Sequence, residues 1–334
     1  MSNETLLSKV IVSTEIGAPP GSGLLKPDQS NRFIDYMFDK TVLVKQVRTE
    51  RMRADSMELD RMGVGERLMR PATEAVDTGE NQGVTFSKIS LRTYKLRLDW
   101  ELSTESLEDN IEQEGFEDHV AQLMAEQAGN DIEDLAINGD VASADPLLVA
   151  FDGWRKLAVS GTTDGAAHIV DAGGTGLTRE TANRALKSIP RKFLQRRGSL
   201  RFYTGAGLAQ DYAYSLTTDE YLSGQGQAAG SIGNVVAEGG AGWLAPRIMG
   251  QTLQEVPLFN ESRTGTYSGA TGNHGDVWLT DPKNLILGVK RDIQVFREFK
   301  PKKDSIEFTV FTRIGVGIEN TDAMVVVTNN RLAA

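Results

Sequence analysis

Strict alternation runs from Tyr94 to Leu102, with Tyr94, Leu96, Leu98, Trp100 and Leu102 on one parity and Lys95, Arg97, Asp99 and Glu101 on the other. A period of two fits a strand with one face on a core and the other in water. Ile89 and Leu91, just upstream, lie on the opposite parity, so the register must switch near Arg92–Thr93 through a bulge or strong local twist. Ser103 then offers a hydroxyl cap, and Glu105, Glu108 and Asp109 fill the first turns, where a helix dipole favours negative charge. Beyond Glu114-Gly115 the period changes: Phe116, Val120, Leu123, Ala128, Ile132 and Leu135 recur at helical spacing. Glu117, Asp118, Glu126, Asp131 and Glu133 are expected on the solvent side. This amphipathic helix spans roughly 35 Å and stops at the turn Asn138-Gly139-Asp140. A long ribbon feeding a long surface helix is unusual in a compact enzyme and suits a subunit that reaches its neighbours.

The rest of the composition excludes several chemistries. Cysteine is absent, which removes disulfides, thiolate nucleophiles and cysteine metal sites. The three histidines, His119, His168 and His274, are scattered without a ligand spacing, so no metal site is expected. No apolar run approaches the ~20 residues of a membrane span, and the N-terminal segment lacks the pattern of an export signal. A net charge of −10 argues against tight general nucleic-acid binding, and Lys290-Arg291 and Lys300, Lys302 and Lys303 are each followed by an aspartate.

Residues 1–40 contain Pro19-Pro20-Gly21-Ser22-Gly23 and read as an extended arm, with a short amphipathic piece around Phe33, Ile34, Met37 and Phe38. Val42, Val44 and Val47 predict a strand, and Met57 and Leu59 another. From Gly63 to Val84 core-forming residues are sparse, which predicts a long functional loop between two strands. A short helix is expected at Phe151–Leu157, and Thr178 should cap a helix carrying Ala182, Ala185, Leu186 and Ile189, interrupted by Pro190. Leu200–Thr204 predicts a strand, followed by a helix over Leu208–Ser215. Ser223–Gly242 holds seven glycines and predicts a mobile loop. Ile306, Phe308, Val310, Thr312 and Ile314 alternate along a closing strand, and Val325 and Val327 mark the last. Helices and strands are segregated, which favours an α+β fold.

The nearest thing to a cofactor motif is Gly205-Ala206-Gly207-Leu208-Ala209-Gln210. A dinucleotide fingerprint needs Gly or Ala where Gln210 stands and an acidic residue about twenty residues on, after a second strand. Neither is present, and a tight strand-to-helix turn accounts for the glycines. Asn260-Glu261-Ser262 fits a glycosylation pattern, which has no use in a chain without a secretion signal. Paired carboxylates abound on helix faces and turns, so a carboxylate-dependent α+β enzyme stands as an alternative from a different functional class.

The order of these elements resembles the major capsid proteins of tailed bacteriophages, with the Hong Kong 97-type fold, from about Lys26 to Asn329. Glu80 to Val84 with Thr85-Phe86 look like the family's approach to the returning strand of its extended loop. Lys95-Leu96-Arg97 through Ser103-Thr104-Glu105-Ser106-Leu107 look like the entry to its peripheral domain. Phe116–Asn138 resembles the spine helix, and Glu133 with Asn138-Gly139-Asp140 its usual ending. Gly250-Gln251-Thr252-Leu253 and Val256-Pro257 resemble the strand and turn leading out of the axial domain. Arg313, Gly317 and Asp322-Ala323-Met324 resemble the closing part. No piece is an invariant motif, and the family often has Pro where Asn320-Thr321 stand; the order carries the likeness.

The resemblance implies an N-terminal arm (1–55), an extended β-hairpin loop (56–93), a peripheral domain (94–177 and 261–334) and an axial domain (178–260). It implies a structural, non-catalytic subunit without cofactor that self-assembles through pentamers and hexamers into an icosahedral head shell around double-stranded DNA. The runner-up is an encapsulin-type nanocompartment shell. Expected partners are other copies of the chain, a portal, and DNA held without sequence specificity; no membrane is involved. The first expected strand begins by Thr41, leaving no room for a scaffolding segment, so a separate scaffolding protein is expected, or assembly without one. The expected location is the virion, after assembly in the bacterial host cytoplasm. Inter-subunit contacts are expected through Arg67, Arg70, Glu74, Glu80 and Lys88 of the loop and through Trp243. Some relatives join a loop lysine covalently to an asparagine of a neighbour; Lys88 is the sole lysine between Lys45 and Lys95, but nothing marks a partner for it.

Overall fold

A computed structural model of the chain describes residues 22–24, 41–64, 84–105, 116–161, 165–223, 247–262, 273–290 and 294–332. In chain order the first strands are β1 (Ser22–Leu24), β2 (Arg48–Met52), β3 (Ser56–Val64), β4 (Val84–Arg92) and β5 (Tyr94–Ser103). Helices α1 (Phe116–Asn138) and α2 (Trp154–Ser160), strand β6 (His168–Asp171) and helices α3 (Arg179–Ser188) and α4 (Arg191–Leu194) follow. Then come β7 (Arg201–Thr204), α5 (Ala206–Ser223), β8 (Arg247–Ile248) and β9 (Gln251–Glu255). The chain closes with β10 (His274–Thr280), β11 (Leu285–Lys290), β12 (Gln294–Lys300), β13 (Ser305–Ile318) and β14 (Val325–Arg331).

The two strictly alternating runs of the sequence find each other. Strand β13 pairs antiparallel with β5 from Ser305↔Ser103 to Ile314↔Tyr94. Its other edge pairs with β12 along Ser305–Phe311 and then with β11 along Ile314–Ile318. Strand β2 adds in parallel to β11, and β1 antiparallel to β12. On the inner face the register sets Trp100 opposite Phe308, and their rings stack at 5.0 Å. Such a pair adds about 0.5–1.5 kcal/mol beyond burial.

Helix α1 runs over the expected residues but turns a different face inward. Ala125, Gly129, Ile132, Glu133 and Ala136 are buried, whereas Leu123 is 52% exposed. The reason is angular: Leu123 lies nine residues before Ile132, which at 100° per residue places the two about 180° apart. Small residues on the buried face let the helix sit close, and Glu133, expected in solvent, lies inside.

The expected strand over residues 42–47 is instead a turn, with the amides of Gln46 and Val47 both donating to the Leu43 carbonyl; the strand begins at Arg48. Leu43, Val44 and Val47 are nevertheless core residues. The helix expected at Phe151–Leu157 starts at Trp154, because the chain first crosses Gly139: the Gly153 amide donates to the Gly139 carbonyl. A Cβ on Gly139 would meet the Phe151 carbonyl at 2.4 Å. Helix α3 carries the expected cap, as a reciprocal pair between Thr178 and Thr181, and Ile189 ends it in an extended conformation before Pro190. Helix α5 runs on past the expected Ser215 to Ser223.

The second six-stranded sheet has the order β6-β14-β10-β7-β9-β8. Val277, Leu279, Phe202, Val325 and Val327 face one apolar cluster with α3 and α5, whereas Trp278, Tyr203 and Val326 join the cluster that contains α1 and the first sheet. Strand β10 is buried at every position. That explains why 274–280 shows no amphipathic alternation: both faces are inside. Helix α2 links the two sheets: a largely buried ion pair joins Arg155 on α2 to Asp276 on β10. Trp154 Nε1 donates to the carbonyls of Ile286 (3.3 Å) and Gly317 (3.0 Å).

Candidate assembly surfaces

Strands β3 and β4 form a two-stranded ribbon paired from Ser56↔Arg92 to Val64↔Val84. Among the described residues it joins neither larger sheet. The ribbon leads into residues 65–83, so Arg67, Arg70, Glu74 and Glu80 lie outside the described residues, as does Trp243. Lys88 is described: it is exposed on β4 and its Nζ lies 2.8 Å from Glu58 Oε2 on β3. The Glu58 carboxylate holds the Lys88 ammonium above its ordinary pKa, and the ammonium in turn lowers that of Glu58.

Sequence reasoning did not single out the machinery at the base of this ribbon. Thr93, where the parity switches, donates both its amide (2.8 Å) and its hydroxyl (3.2 Å) to the Asp55 carbonyl. The switch is a hand-off between sheets: β4 pairs with β3, and β5 with β13. The Asp55 carboxylate pairs with Arg313 and with Lys290 (2.9 Å), and these contacts, Arg313 first, hold its pKa below the ordinary value of 3.8. Leu91 plugs the gap beneath, in a small cluster with Met52 and Ile286. It fits because Gly288 and Gly317 leave the space: a Cβ there would come within 2.4 and 2.6 Å of Leu91. At Gly315 a Cβ would meet the Arg92 carbonyl at 1.8 Å. Farther along, Arg61 Nη1 donates to the Glu319 carbonyl at 3.1 Å. The ribbon is therefore fastened at its root and along one flank.

A second fastening holds the arm. Glu133, 2% exposed on α1, accepts from the amides of Val42 (2.8 Å) and Leu43 (2.9 Å). Burial raises its pKa, against the opposing pull of the backbone amides of Leu43, Val42 and Val44. The carboxylate satisfies donors that a buried turn would otherwise leave unpaired. Upstream, β1 lies on the outer edge of β12, near Phe296 (36% exposed) and Phe299 (44%).

The solvent face of the first sheet carries charge. Glu101 and Glu307 face each other across β5 and β13, and Lys303 reaches both. Lys300 pairs with Glu307. The Ser305 hydroxyl, followed by Lys303, lowers the pKa of Glu101, and Lys300, followed by Lys303, that of Glu307.

The glycines after β7 have a local use. Glu261 accepts from the amides of Gly207 (3.1 Å) and Leu208 (2.9 Å) at the start of α5. A Cβ at Gly205 would meet this carboxylate at 2.3 Å. The anion that such a helix start attracts is supplied by the chain itself. Asn260 Oδ1 accepts from the Ser262 amide, so the Asn-Glu-Ser run closes a turn. His119 is exposed, and His168 and His274 sit on β6 and β10. Among the described residues no helix is long and apolar enough to cross a membrane.

The chain matches no family model. It is 29% identical over 301 residues to the "Putative prophage capsid protein YqbE" of Bacillus subtilis (strain 168), covering 88% of each chain. Its fold is similar to a chain of the satellite phage P4 procapsid that includes the size determination (Sid) protein, with a TM-score of 0.59 at 16% identity over 98% of both chains. It is also similar to a chain of the holo-SrpI encapsulin complex from Synechococcus elongatus PCC 7942, with a TM-score of 0.55 at 9% identity over 87% of this chain and 88% of that one.

Proposed function

We infer that this chain belongs to the Hong Kong 97-type capsid proteins of tailed phages and serves as a major capsid protein, the structural subunit of a head shell. The fold is that of phage capsid subunits, and the likeness runs over nearly the whole length, leaving no large part of the chain for another role. The observation that carries the reading is the ribbon β3–β4. It is fastened at its root by Asp55, Thr93 and Leu91, and among the described residues it joins neither of the two larger sheets. A monomer has little use for a rigidly based projection; a shell subunit uses one to lie across its neighbour.

In this reading 56–93 is the extended loop, 1–55 the arm, α1 the spine helix, 94–177 and 261–334 the peripheral domain and 178–260 the axial domain. Strands β10 and β14 complete the sheet that holds β7 and β9, so the two domains share that sheet. Arg67, Arg70, Glu74, Glu80 and Lys88 would meet a neighbouring subunit along the loop, and Trp243 near the symmetry axis. Copies would gather as pentamers and hexamers, with a separate scaffolding protein and a portal, in the host cytoplasm. The acidic balance of the chain (−10) suits a shell that DNA enters without being gripped.

The likeness to an encapsulin supports a second reading, a shell around protein cargo. Light scattering and electron microscopy of the expressed chain test the shell itself. Capsomers or megadalton shells are expected, whereas a stable small oligomer, with or without scaffolding protein, would favour a soluble enzyme. Packaged DNA against a co-purifying cargo enzyme separates the phage from the nanocompartment.

A further inference from the structure

We propose that residues 179–201 form a basic band that touches the phosphate backbone of packaged duplex DNA without reading its sequence. The proposal rests on the shell reading above and assigns it an inward-facing surface. The chain as a whole carries −10, yet this stretch holds eight basic residues against a single acid, Glu180. Helix α3 buries Thr181, Ala182, Ala185 and Leu186, which leaves Arg184 and Lys187 as neighbours on its outer face. After Pro190 the short helix α4 exposes Arg191 and Lys192. The 3₁₀ turn Arg197–Ser199 follows, with Arg196 and Arg197 exposed at its start. Arg197 Nη2 donates to the Met249 carbonyl at 3.0 Å, which brings the band up to the end of β8 and its exposed Arg247.

Two features separate this band from an ordinary solvated face. Its charges are positioned without being neutralised. Among the described residues no carboxylate pairs with Lys187, Arg191, Arg196 or Arg197. The acceptor that holds Arg197 is a neutral carbonyl, and Arg184 Nη2 donates to another, that of Asp171, at 2.9 Å. Acids give partial relief: Lys192 lies 3.6 Å from Asp322, and the Asp171 carboxylate sits in the field of Arg184. On the sheet of β5 and β13, by contrast, Lys300 pairs with Glu307, and Lys303 with Glu101 and Glu307. The band is also charge without apolar surface, since none of the large exposed hydrophobic residues falls within 179–201. A protein partner is held through a desolvated apolar centre, whereas a phosphate backbone is met by charge alone. Arginines predominate, and their planar forks suit phosphate oxygens. Acids elsewhere on the chain do not cancel the band, because charges more than about 10 Å away are largely screened at 0.1 M salt. A contact through a few cations is weak and salt-sensitive, so DNA can slide past as it fills the shell.

Dissociated subunits are titrated with a fluorescein-labelled duplex of mixed sequence, and anisotropy is read over a range of salt. Four phosphate contacts give a slope of log affinity against log salt of about −3.6. Neutralising three of the free cations, by Lys187→Gln with Arg191→Gln and Arg196→Gln, should flatten the slope to about −1 and cut low-salt affinity at least ~10-fold. A second variant, Arg51→Gln with Arg53→Gln and Lys302→Gln, removes the same charge from exposed positions outside the band and should bind as the natural chain does. Equal loss in the two variants, or no binding by the natural chain at low salt, would overturn the proposal. Polyglutamate bound in preference to the duplex would make the partner an acidic protein segment, which also overturns it. In particles that contain DNA, formaldehyde should link Lys187 and Lys192 to the nucleic acid, and adducts confined to other lysines would show that the band faces elsewhere. The first variant should still assemble; loss of particles would make the band a joint between copies and overturn the assignment. Sizing of the natural chain reports separately on the shell: without particles the shell reading fails and no DNA is packaged, whereas anisotropy reports on the band by itself.

Discussion

Glu133→Ala tests whether a buried carboxylate holds the arm to α1. The side chain accepts from the amides of Val42 at 2.8 Å and Leu43 at 2.9 Å, and Leu43 is fully buried. Orphaning two such donors costs about 2–6 kcal/mol if neither finds water. Val42 is half-buried and can recover a bond to solvent, so the expected loss is about 3 kcal/mol. Glu133→Gln keeps one acceptor oxygen and should lose about 1–2 kcal/mol. Urea unfolding of dissociated subunits reads the totals, and hydrogen exchange reads residues 42–47 directly. Burial raises the Glu133 pKa above its ordinary 4.5, so its contribution is full below that value and falls as pH rises through the raised one. The glutamine variant does not titrate there, so its deficit relative to the natural chain should grow on acidification through that window. Unchanged stability in the alanine variant, with the amides of 42–44 as slow to exchange as before, would refute the latch.

Three further perturbations bear on the ribbon. Asp55→Asn should speed hydrogen exchange at the root of β3 and β4 and remove its salt dependence, with the sheet of β13 unaffected. In the natural chain, Asp55 has a lowered pKa, so its contribution is present above pH 3.8 and should fade only as pH drops through the depressed value. Gly315→Ala forces a Cβ to 1.8 Å from a backbone carbonyl and should cost at least ~2 kcal/mol, measured by urea unfolding. Gly176→Ala, whose Cβ would meet its nearest atom at 3.5 Å, is the control and should be mild. Deleting Arg67–Gly83 should spare the fold of the subunit, read by circular dichroism and melting, while abolishing closed particles in the electron microscope.

The elements legible in the sequence were those whose period matches one exposed and one buried face. The alternation of β5 and β13 and the length of α1 are such cases, as is the Thr178 cap. Strand β10 is legible as the start of the strand-rich stretch from Asp276, but not which way it faces, because a strand buried on both faces has no alternation to read. The buried face of α1 is not legible, because apolar residues at loose spacings of three to five drift around the helix, so that Leu123 and Ile132 lie on opposite sides. Its charge points Glu133 to solvent, whereas its position, following Ala125, Gly129 and Ile132 around the helix, points it inside. A signal for the ribbon's root was present in Gly315-Val316-Gly317: alternate glycines inside a strand mark close approach of another segment, here Arg92 and Leu91. Asp55 gave no signal, since Lys290 and Arg313 are more than two hundred residues away in sequence and only the fold brings them together.

Whether the ribbon joins neighbouring subunits is read from a reconstruction of the assembled particle. The expected result is a closed shell in which the β3–β4 ribbon of each copy keeps its root at Asp55 and Leu91 and reaches the adjacent subunit, with residues 65–83 in contact with that neighbour. Residues 65–83 folded back onto their own subunit in every copy, or a purified chain that forms no shell under any assembly condition, would contradict it.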